Sequence, residues 1–197
     1  MEYIDYLKQR RSVYNLSNEE VIPDQEVEDI IAQVLDNTPS AFNSQTQRVV
    51  LLFGKKQIEL WEIVKDELKK IVSKNDYPKT EAKINGFMKA RGTVMFFDAK
   101  NETLALMEKF PLYKHNFELW YQQQNGMVQA NVWVALASKH IGASLQHYNE
   151  LIEKRIKTAF DLPIEWELIA QMPFGKIVET PGDKPKLSLS TRLIVKK

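Results

Sequence analysis

The chain has 197 residues, with 27 lysines and arginines against 26 aspartates and glutamates, three histidines and no cysteine. The absence of cysteine excludes disulfides, thiolate zinc sites, iron–sulfur clusters and a cysteine nucleophile. A net charge of +1 argues against proteins that bind nucleic acid or an anionic membrane through charge, since both need a strongly basic face.

The sequence contains no stretch that is apolar for long enough to cross a bilayer. Its most apolar runs, residues 49–53 and 93–97, have only the length of a strand. The N-terminus alternates charged and apolar side chains and lacks the core of a signal peptide. We therefore expect a cytoplasmic protein, long enough to form a single domain over residues 1–197.

Four segments have the periodicity of helices. Apolar side chains recur three and four positions apart in residues 24–36, 57–72 and 150–160, which predicts helices with one apolar stripe each. Residues 117–140 predict a longer helix with apolar side chains on more than one face. Such a helix must be buried on most sides, either between two subunits or at the centre of one.

Short β-rich runs lie between these helices. The predicted strands are residues 48–54, 93–98, 143–148 and 166–172, with an edge strand at 191–195. From about residue 176 the chain has six basic and two acidic side chains, which make a basic C-terminal arm. Helices come first and mixed strands and helices follow, an order that favours one α+β domain over a regular βαβ array.

Several common catalytic patterns are missing from the chain. His115, His140 and His147 do not have the spacing of a metal site, so no metal is expected. The chain also lacks the GxSxG motif of serine hydrolases, the Walker loop and the GxGxxG fingerprint. Metal catalysis, hydrolysis by an activated serine and Rossmann-type dinucleotide binding are therefore not predicted.

Two polar segments in the first quarter of the chain are candidates for ligand binding. Arg10-Arg11-Ser12 offers two guanidinium groups and a hydroxyl to a phosphate, although cations that complement a helix C-terminus give the same pattern. Residues 38–45 contain Asn43 and Gln45, whose carboxamides can bind the edge of a heteroaromatic ring. An ordinary polar loop would have the same composition.

Two further segments lie in the last third of the chain. Residues 142–147 offer backbone N–H groups to a flat ligand, or simply begin a strand. Residues 172–176, followed by Lys184 and Lys186, offer cations to an anionic group, or form a solvated tail. Each of the four segments is a weak signal alone.

In this order, with the long helix between the second and third, the four segments together resemble the nitroreductase family over essentially the whole chain. The resemblance is greatest to the subgroup of fungal fatty-acid-repression-mutant-like proteins and related bacterial nitroreductases. A Ser-Leu-Gln-His segment is typical of that subgroup, and residues 144–147 of this chain have that sequence.

The resemblance implies a nitroreductase-like α+β fold, with a central mixed but mostly antiparallel sheet flanked by helices. It also implies a homodimer with the long helix at the interface and FMN bound non-covalently between the subunits. The residues that it implies for FMN binding are Arg10, Arg11, Ser12, Asn43, Gln45, Gln146, His147, Lys184 and Lys186.

The same resemblance assigns these residues to parts of FMN. Residues 10–12 would meet the phosphate, the ribityl chain and the pyrimidine edge. Asn43 and Gln45 would come mostly from the partner subunit, and residues 146–147 would lie beside the isoalloxazine ring. Lys186, or otherwise Lys184, would bind the phosphate.

The chain departs from the family pattern at two places. Many relatives have a further arginine where this chain has Tyr14. Many also continue the second motif as Gln-Pro-Trp, where this chain has Gln45-Thr46-Gln47. Arg48 follows directly and is a candidate to replace the missing cation.

The implied activity is the two-electron reduction of nitroaromatic or quinone-type acceptors by NAD(P)H, in ping-pong order, with FMN carrying the chemistry. No catalytic side chain is then required. Phe42 and the Trp120–Tyr121 pair could line an acceptor pocket or simply pack in the core or the interface. Two alternatives stay open: a flavin-binding redox sensor or regulator with low turnover, and an α+β interaction module that binds no flavin.

Overall fold

The computed structural model describes residues 2–197, which form seven α-helices and five β-strands. The helices are α1 (Tyr3–Gln9), α2 (Asp24–Asn37), α3 (Gly54–Ile71), α4 (Tyr77–Met88), α5 (Lys100–Lys109), α6 (Lys114–Ser138) and α7 (Asn149–Ala159). The strands are β1 (Leu16–Ser17), β2 (Gln47–Phe53), β3 (Gly92–Ala99), β4 (Ile141–Ala143) and β5 (Trp166–Ile177).

The five strands form one sheet in the order β1-β5-β3-β2, with β4 paired to β5 outside this path. Every ladder is antiparallel. The only parallel pairing within the described chain is an isolated bridge between Ser12 and Ala143. The prediction of a mixed, mostly antiparallel sheet is therefore confirmed.

Strand β3 lies at the centre of the molecule, and all eight of its residues are buried. Because side chains alternate along a strand, Val94 and Phe96 pack against α2 and α6, whereas Met95 and Phe97 pack against α3, α4 and α7. The sheet is thus covered by helices on both faces. This arrangement confirms the predicted α+β class.

Helix α6 has 25 residues and packs against α1, α2, α5 and strands β2–β4. Its buried side chains point in several directions, as the sequence predicted, and include the polar residues Gln124, Asn125 and Gln129. The helix nevertheless keeps an uncovered side, where Leu119 and Met127 are 60% and 49% exposed.

The structure corrects two of the predicted strands. The strand expected at residues 143–148 overlaps β4 (Ile141–Ala143) only at Ala143. Pro173, opposite Ser144, has no N–H with which to continue the ladder, and only an isolated bridge between Gln146 and Gln171 follows. Residues 191–195 do not form an edge strand, and a 3₁₀ turn at Leu189–Thr191 occupies the start of this segment. β-branched side chains favour a strand only where a neighbouring strand and a packed face exist.

Candidate functional site

The first and third polar segments lie side by side. Ser12 forms the parallel bridge with Ala143, and the backbone N–H of Val13 donates to the carbonyl oxygen of Ala143 at 2.9 Å. These contacts bring residues 10–12 next to residues 142–147, although about 130 residues separate the two segments in the chain. Two of the segments that the resemblance assigns to FMN are therefore neighbours within a single chain.

Arg10 and Arg11 differ from the arginines of the protein surface that form ion pairs. Arg48, Arg91 and Arg155 each pair with a carboxylate at 2.7–2.9 Å. Within residues 2–197 neither Arg10 nor Arg11 has a carboxylate partner. Their charges are consequently available to an anion that is not part of the chain.

Each of these two arginines has its own structural contact. The Cζ atom of Arg10 lies 4.4 Å from the centroid of the Trp133 ring on α6. The Nη2 atom of Arg11 donates to the carbonyl oxygen of Gly182 at 2.5 Å. The second contact attaches the C-terminal arm beside residues 10–12.

Lys184 and Lys186 follow this attachment point by two and four residues, and both are exposed. An extended chain advances about 3.5 Å per residue, so Lys184 and Lys186 have their Cα atoms within about 7 and 14 Å of Gly182. The structure therefore keeps the basic arm within reach of the two arginines.

Gln146 and His147 have different surroundings. The backbone of Gln146 exchanges hydrogen bonds of 2.7 and 2.9 Å with Gln171, and its side chain donates to the hydroxyl of Ser144 at 3.2 Å. The buried Gln146 carboxamide is thus turned toward the protein. His147 is exposed and borders a groove of about 580 Å³ together with Ile71 and the start of α7.

The loop after α2, residues 38–45, has a strained backbone. Phe42, Asn43 and Gln45 have φ values of 56°, 52° and 49°. Non-glycine residues with such values cost energy and persist where the surrounding structure fixes them. The loop holds the carboxamides of Asn43 and Gln45 exposed to solvent.

Gln124 of α6 holds this loop through hydrogen bonds from its side chain. Its Oε1 accepts the backbone N–H of Ala41 at 3.0 Å, while its Nε2 lies 3.3 Å from the hydroxyl of Ser44 and 2.9 Å from that of Thr46. Gln124 is itself buried. One side chain therefore ties together the beginning and the end of the strained segment.

The hydrogen bonds continue from Thr46 into the core. Its hydroxyl donates to Oδ1 of Asp98 at 2.5 Å, and the hydroxyl of Thr103 donates to Oδ2 at 2.7 Å. Asp98 is fully buried, and this burial raises the pKa of its carboxyl. No local sequence pattern predicts this network, because Thr46 lies 52 residues from Asp98 and 78 residues from Gln124.

Helix α6 separates the two groups of candidate residues. Gln124 holds the loop with Asn43 and Gln45, and Trp133, nine residues later, contacts Arg10. At about 100° and 1.5 Å per residue, these positions lie about half a turn apart around the helix and about 13 Å apart along it. Within one chain the carboxamides and the arginines are thus on opposite sides of α6.

An aromatic cluster surrounds Phe42. Its ring centroid lies 4.9–5.9 Å from those of Phe110, Tyr113, Phe117 and Trp120, and Phe42 remains 50% exposed. Tyr121 is not part of this cluster, since its ring lies below Lys100 and its hydroxyl donates to Glu167 at 3.3 Å. Only one member of the predicted Trp120–Tyr121 pair is therefore near Phe42.

Arg48 does not have an unpaired charge. Its guanidinium donates to Glu102 at 2.7 Å and to the carbonyl oxygen of Gln45 at 2.6 Å. It therefore closes the loop rather than replacing a missing cation. Tyr14, at the other departure from the family pattern, is exposed.

Two properties of the described residues bear on the kind of site. Among residues 2–197, no group of three or more His, Asp or Glu side chains is arranged to hold a metal ion. None of the helices in this part of the chain combines the length and apolarity needed to cross a membrane.

Comparison with known proteins gives consistent matches. The model of the Nitroreductase family matches residues 7–176. The nitroreductase FRM2 of Saccharomyces cerevisiae is 31% identical over 187 residues, which cover 92% of this chain and 91% of FRM2.

Solved structures agree with these matches. Nitroreductase CinD from Lactococcus lactis, in complex with nicotinic acid, has a TM-score of 0.93 and 38% identity over 100% of both chains. CinD has also been solved with chloramphenicol and with 4-nitrophenol. A nitroreductase-like protein from Desulfovibrio desulfuricans in complex with FMN shares the fold, with a TM-score of 0.70 and 17% identity, over 100% of this chain and 98% of that protein.

Proposed function

This chain belongs to the nitroreductase family of flavin-dependent oxidoreductases, and from this premise we propose the reaction it catalyses. It uses FMN and NAD(P)H to reduce nitroaromatic or quinone-type acceptors in ping-pong order. It works as a homodimer in the cytoplasm, each subunit being a single domain with a basic arm from about residue 176.

The residues present fit FMN. A phosphate needs cations that no carboxylate neutralises, which Arg10 and Arg11 provide. The pyrimidine edge has both donors and acceptors, which the exposed carboxamides of Asn43 and Gln45 complement. When bound, FMN supplies the redox chemistry by accepting a hydride from NAD(P)H and passing it to the acceptor.

The side chains have positioning and electrostatic roles in this proposal. Arg10, Arg11 and Ser12 hold the phosphate end and offer positive charge, and Lys184 or Lys186 adds a further cation from the arm. The backbone N–H groups of Leu145 and His147, which alternate with the N–H groups that donate to strand β5, border the ring. Protons reach the acceptor from water, so no side chain acts as a dedicated acid or base.

The placement of the candidate residues on either side of α6 supports the proposed dimer. An FMN bound to both groups within one chain would have to reach around the helix, so in this proposal a second copy supplies Asn43 and Gln45. The exposed apolar residues Leu119 and Met127 on the same helix provide a surface for that copy. This separation is the observation that carries the proposal of a shared site.

Two features support flat aromatic acceptors. CinD binds nicotinic acid and 4-nitrophenol, and nicotinic acid carries the pyridine ring of nicotinamide. In this chain the half-exposed ring of Phe42 and its neighbour Trp120 offer a stacking surface beside the loop that holds Asn43.

The test combines spectroscopy with kinetics on the purified protein. We expect bound FMN, loss of its visible absorption band on anaerobic addition of NAD(P)H, and parallel double-reciprocal plots with a nitroaromatic or quinone acceptor. A protein that binds no FMN contradicts the proposal. Reduction of the flavin without turnover supports the redox-sensor alternative.

A further inference from the structure

Trp133 combines two features that its role in packing does not explain. Its indole ring lies under the guanidinium group of Arg10, at 4.4 Å from Cζ to the ring centroid. Its Nε1 atom is buried and has no hydrogen-bond partner among residues 2–197. A buried donor without a partner is unfavourable, and an apolar side chain at this position would avoid that cost.

The contact with Arg10 offers a reason for an indole at this position. Among the aromatic side chains, tryptophan binds a cation on its face most strongly, and guanidinium groups stack well on it. Arg10 has no carboxylate partner to fix its orientation, so the indole is the group that orders its side chain.

We propose that Trp133 is a positioning residue that holds Arg10 ready for the phosphate of FMN. This inference rests on the proposed function, because it assigns Arg10 to the phosphate. An arginine that is already ordered loses less conformational freedom when it binds an anion. Trp133 therefore strengthens the binding of FMN but not of riboflavin, which lacks the phosphate.

The experiment is a double-mutant cycle measured by flavin fluorescence. The variants Trp133→Leu, Arg10→Ala and the double variant are titrated with FMN and with riboflavin. We expect Trp133→Leu to weaken FMN binding about three- to tenfold and to leave riboflavin binding unchanged. In the Arg10→Ala background, the same substitution has no further effect on FMN binding.

The Trp166→Leu variant is the matched control. Trp166 is also half-buried and also lies near an arginine, with the Cζ of Arg48 at 6.0 Å from its ring, but it is not near Arg10. Its replacement is expected to leave the ratio of FMN to riboflavin affinity unchanged. If Trp133→Leu does not fold, Trp133→Phe completes the same cycle with an expected loss of about twofold for FMN alone.

Three results would overturn the inference. Equal losses of FMN and riboflavin affinity would show that Trp133 only supports the fold. An unchanged FMN affinity, or additive effects of the Trp133 and Arg10 substitutions, would show that the residues act separately. Failure of the wild-type protein to bind either flavin would instead refute the proposed function, and this inference with it.

Discussion

Asp98 is the most deeply buried acidic side chain of the candidate site. It is the second-last residue of the central strand β3, and its two oxygens accept hydrogen bonds from Thr46 and Thr103. Burial raises the pKa of its carboxyl, while these hydrogen bonds act in the opposite direction. The carboxyl therefore binds its proton more tightly in the folded protein than in the unfolded chain.

This raised pKa predicts a pH-dependent contribution to stability. The contribution is fully present below the pKa of the unfolded chain, about 3.9, and is lost as pH rises through the higher pKa of the folded state. The variant Asp98→Asn does not titrate. We expect its free energy of unfolding to improve relative to wild type between about pH 4 and pH 7, measured by urea denaturation.

The exposed variant Asp36→Asn controls for the removal of one negative charge. A constant difference between Asp98→Asn and wild type across this pH range would contradict the assignment.

At the scale of structural elements, α6 determines the form of the loop at residues 38–45. Gln124 contacts this loop at Ala41 and Ser44. The backbone of the loop passes through three left-handed conformations. Gln124 is the buried side chain that contacts the loop near both ends, while Arg48 holds the carbonyl oxygen of Gln45 from the exposed side.

Replacement of Gln124 by leucine tests this role. The change leaves the N–H of Ala41 without its acceptor, which costs about 1–3 kcal/mol. We expect faster hydrogen exchange of the amides in residues 38–45 and weaker FMN binding. Gln123→Leu, one position earlier on an exposed site, is the matched control. Equal exchange in the two variants would show that other contacts hold the loop.

Strand β5 contains a position where only glycine fits. A Cβ atom on Gly175 would meet the carbonyl oxygen of Ser17 and would lie 2.9 Å from the backbone nitrogen of Arg91. We expect Gly175→Ala to lower the free energy of unfolding by about 1–3 kcal/mol, measured by thermal or urea denaturation.

Gly86→Ala is the control, since a Cβ there meets nothing within 4 Å and replaces glycine in helix α4. It is expected to be neutral or to stabilise by up to about 1 kcal/mol. A Gly175→Ala variant as stable as Gly86→Ala would show that β1 moves freely away from β5.

The helices differ in how clearly the apolar pattern of the sequence predicts them. Helices α2, α3 and α7 were predicted within a few residues from one apolar stripe each, and α6 was predicted as closely from apolar side chains on more than one face. Helices α4 and α5 were not predicted. Each buries only two side chains, so their apolar pattern is too sparse to stand out.

At the scale of the whole molecule, the order of the polar segments predicted the family, which is confirmed. The buried contacts that hold those segments in place could not be predicted. Gln124 and Asp98 are polar residues that look solvent-exposed in sequence, and the contact of Arg10 with Trp133 joins positions far apart in the chain. Such pairings depend on tertiary structure alone.

The placement of Asn43 and Arg10 on opposite sides of α6 has a consequence for mixtures of two inactive variants. In a two-fold dimer, a copy with Arg10→Ala and a copy with Asn43→Ala together form one cavity with both defects and one with neither. Two inactive preparations, unfolded and refolded together in equal amounts, should therefore regain about a quarter of the wild-type activity. If each copy instead carried a complete cavity of its own, co-refolding would rescue nothing.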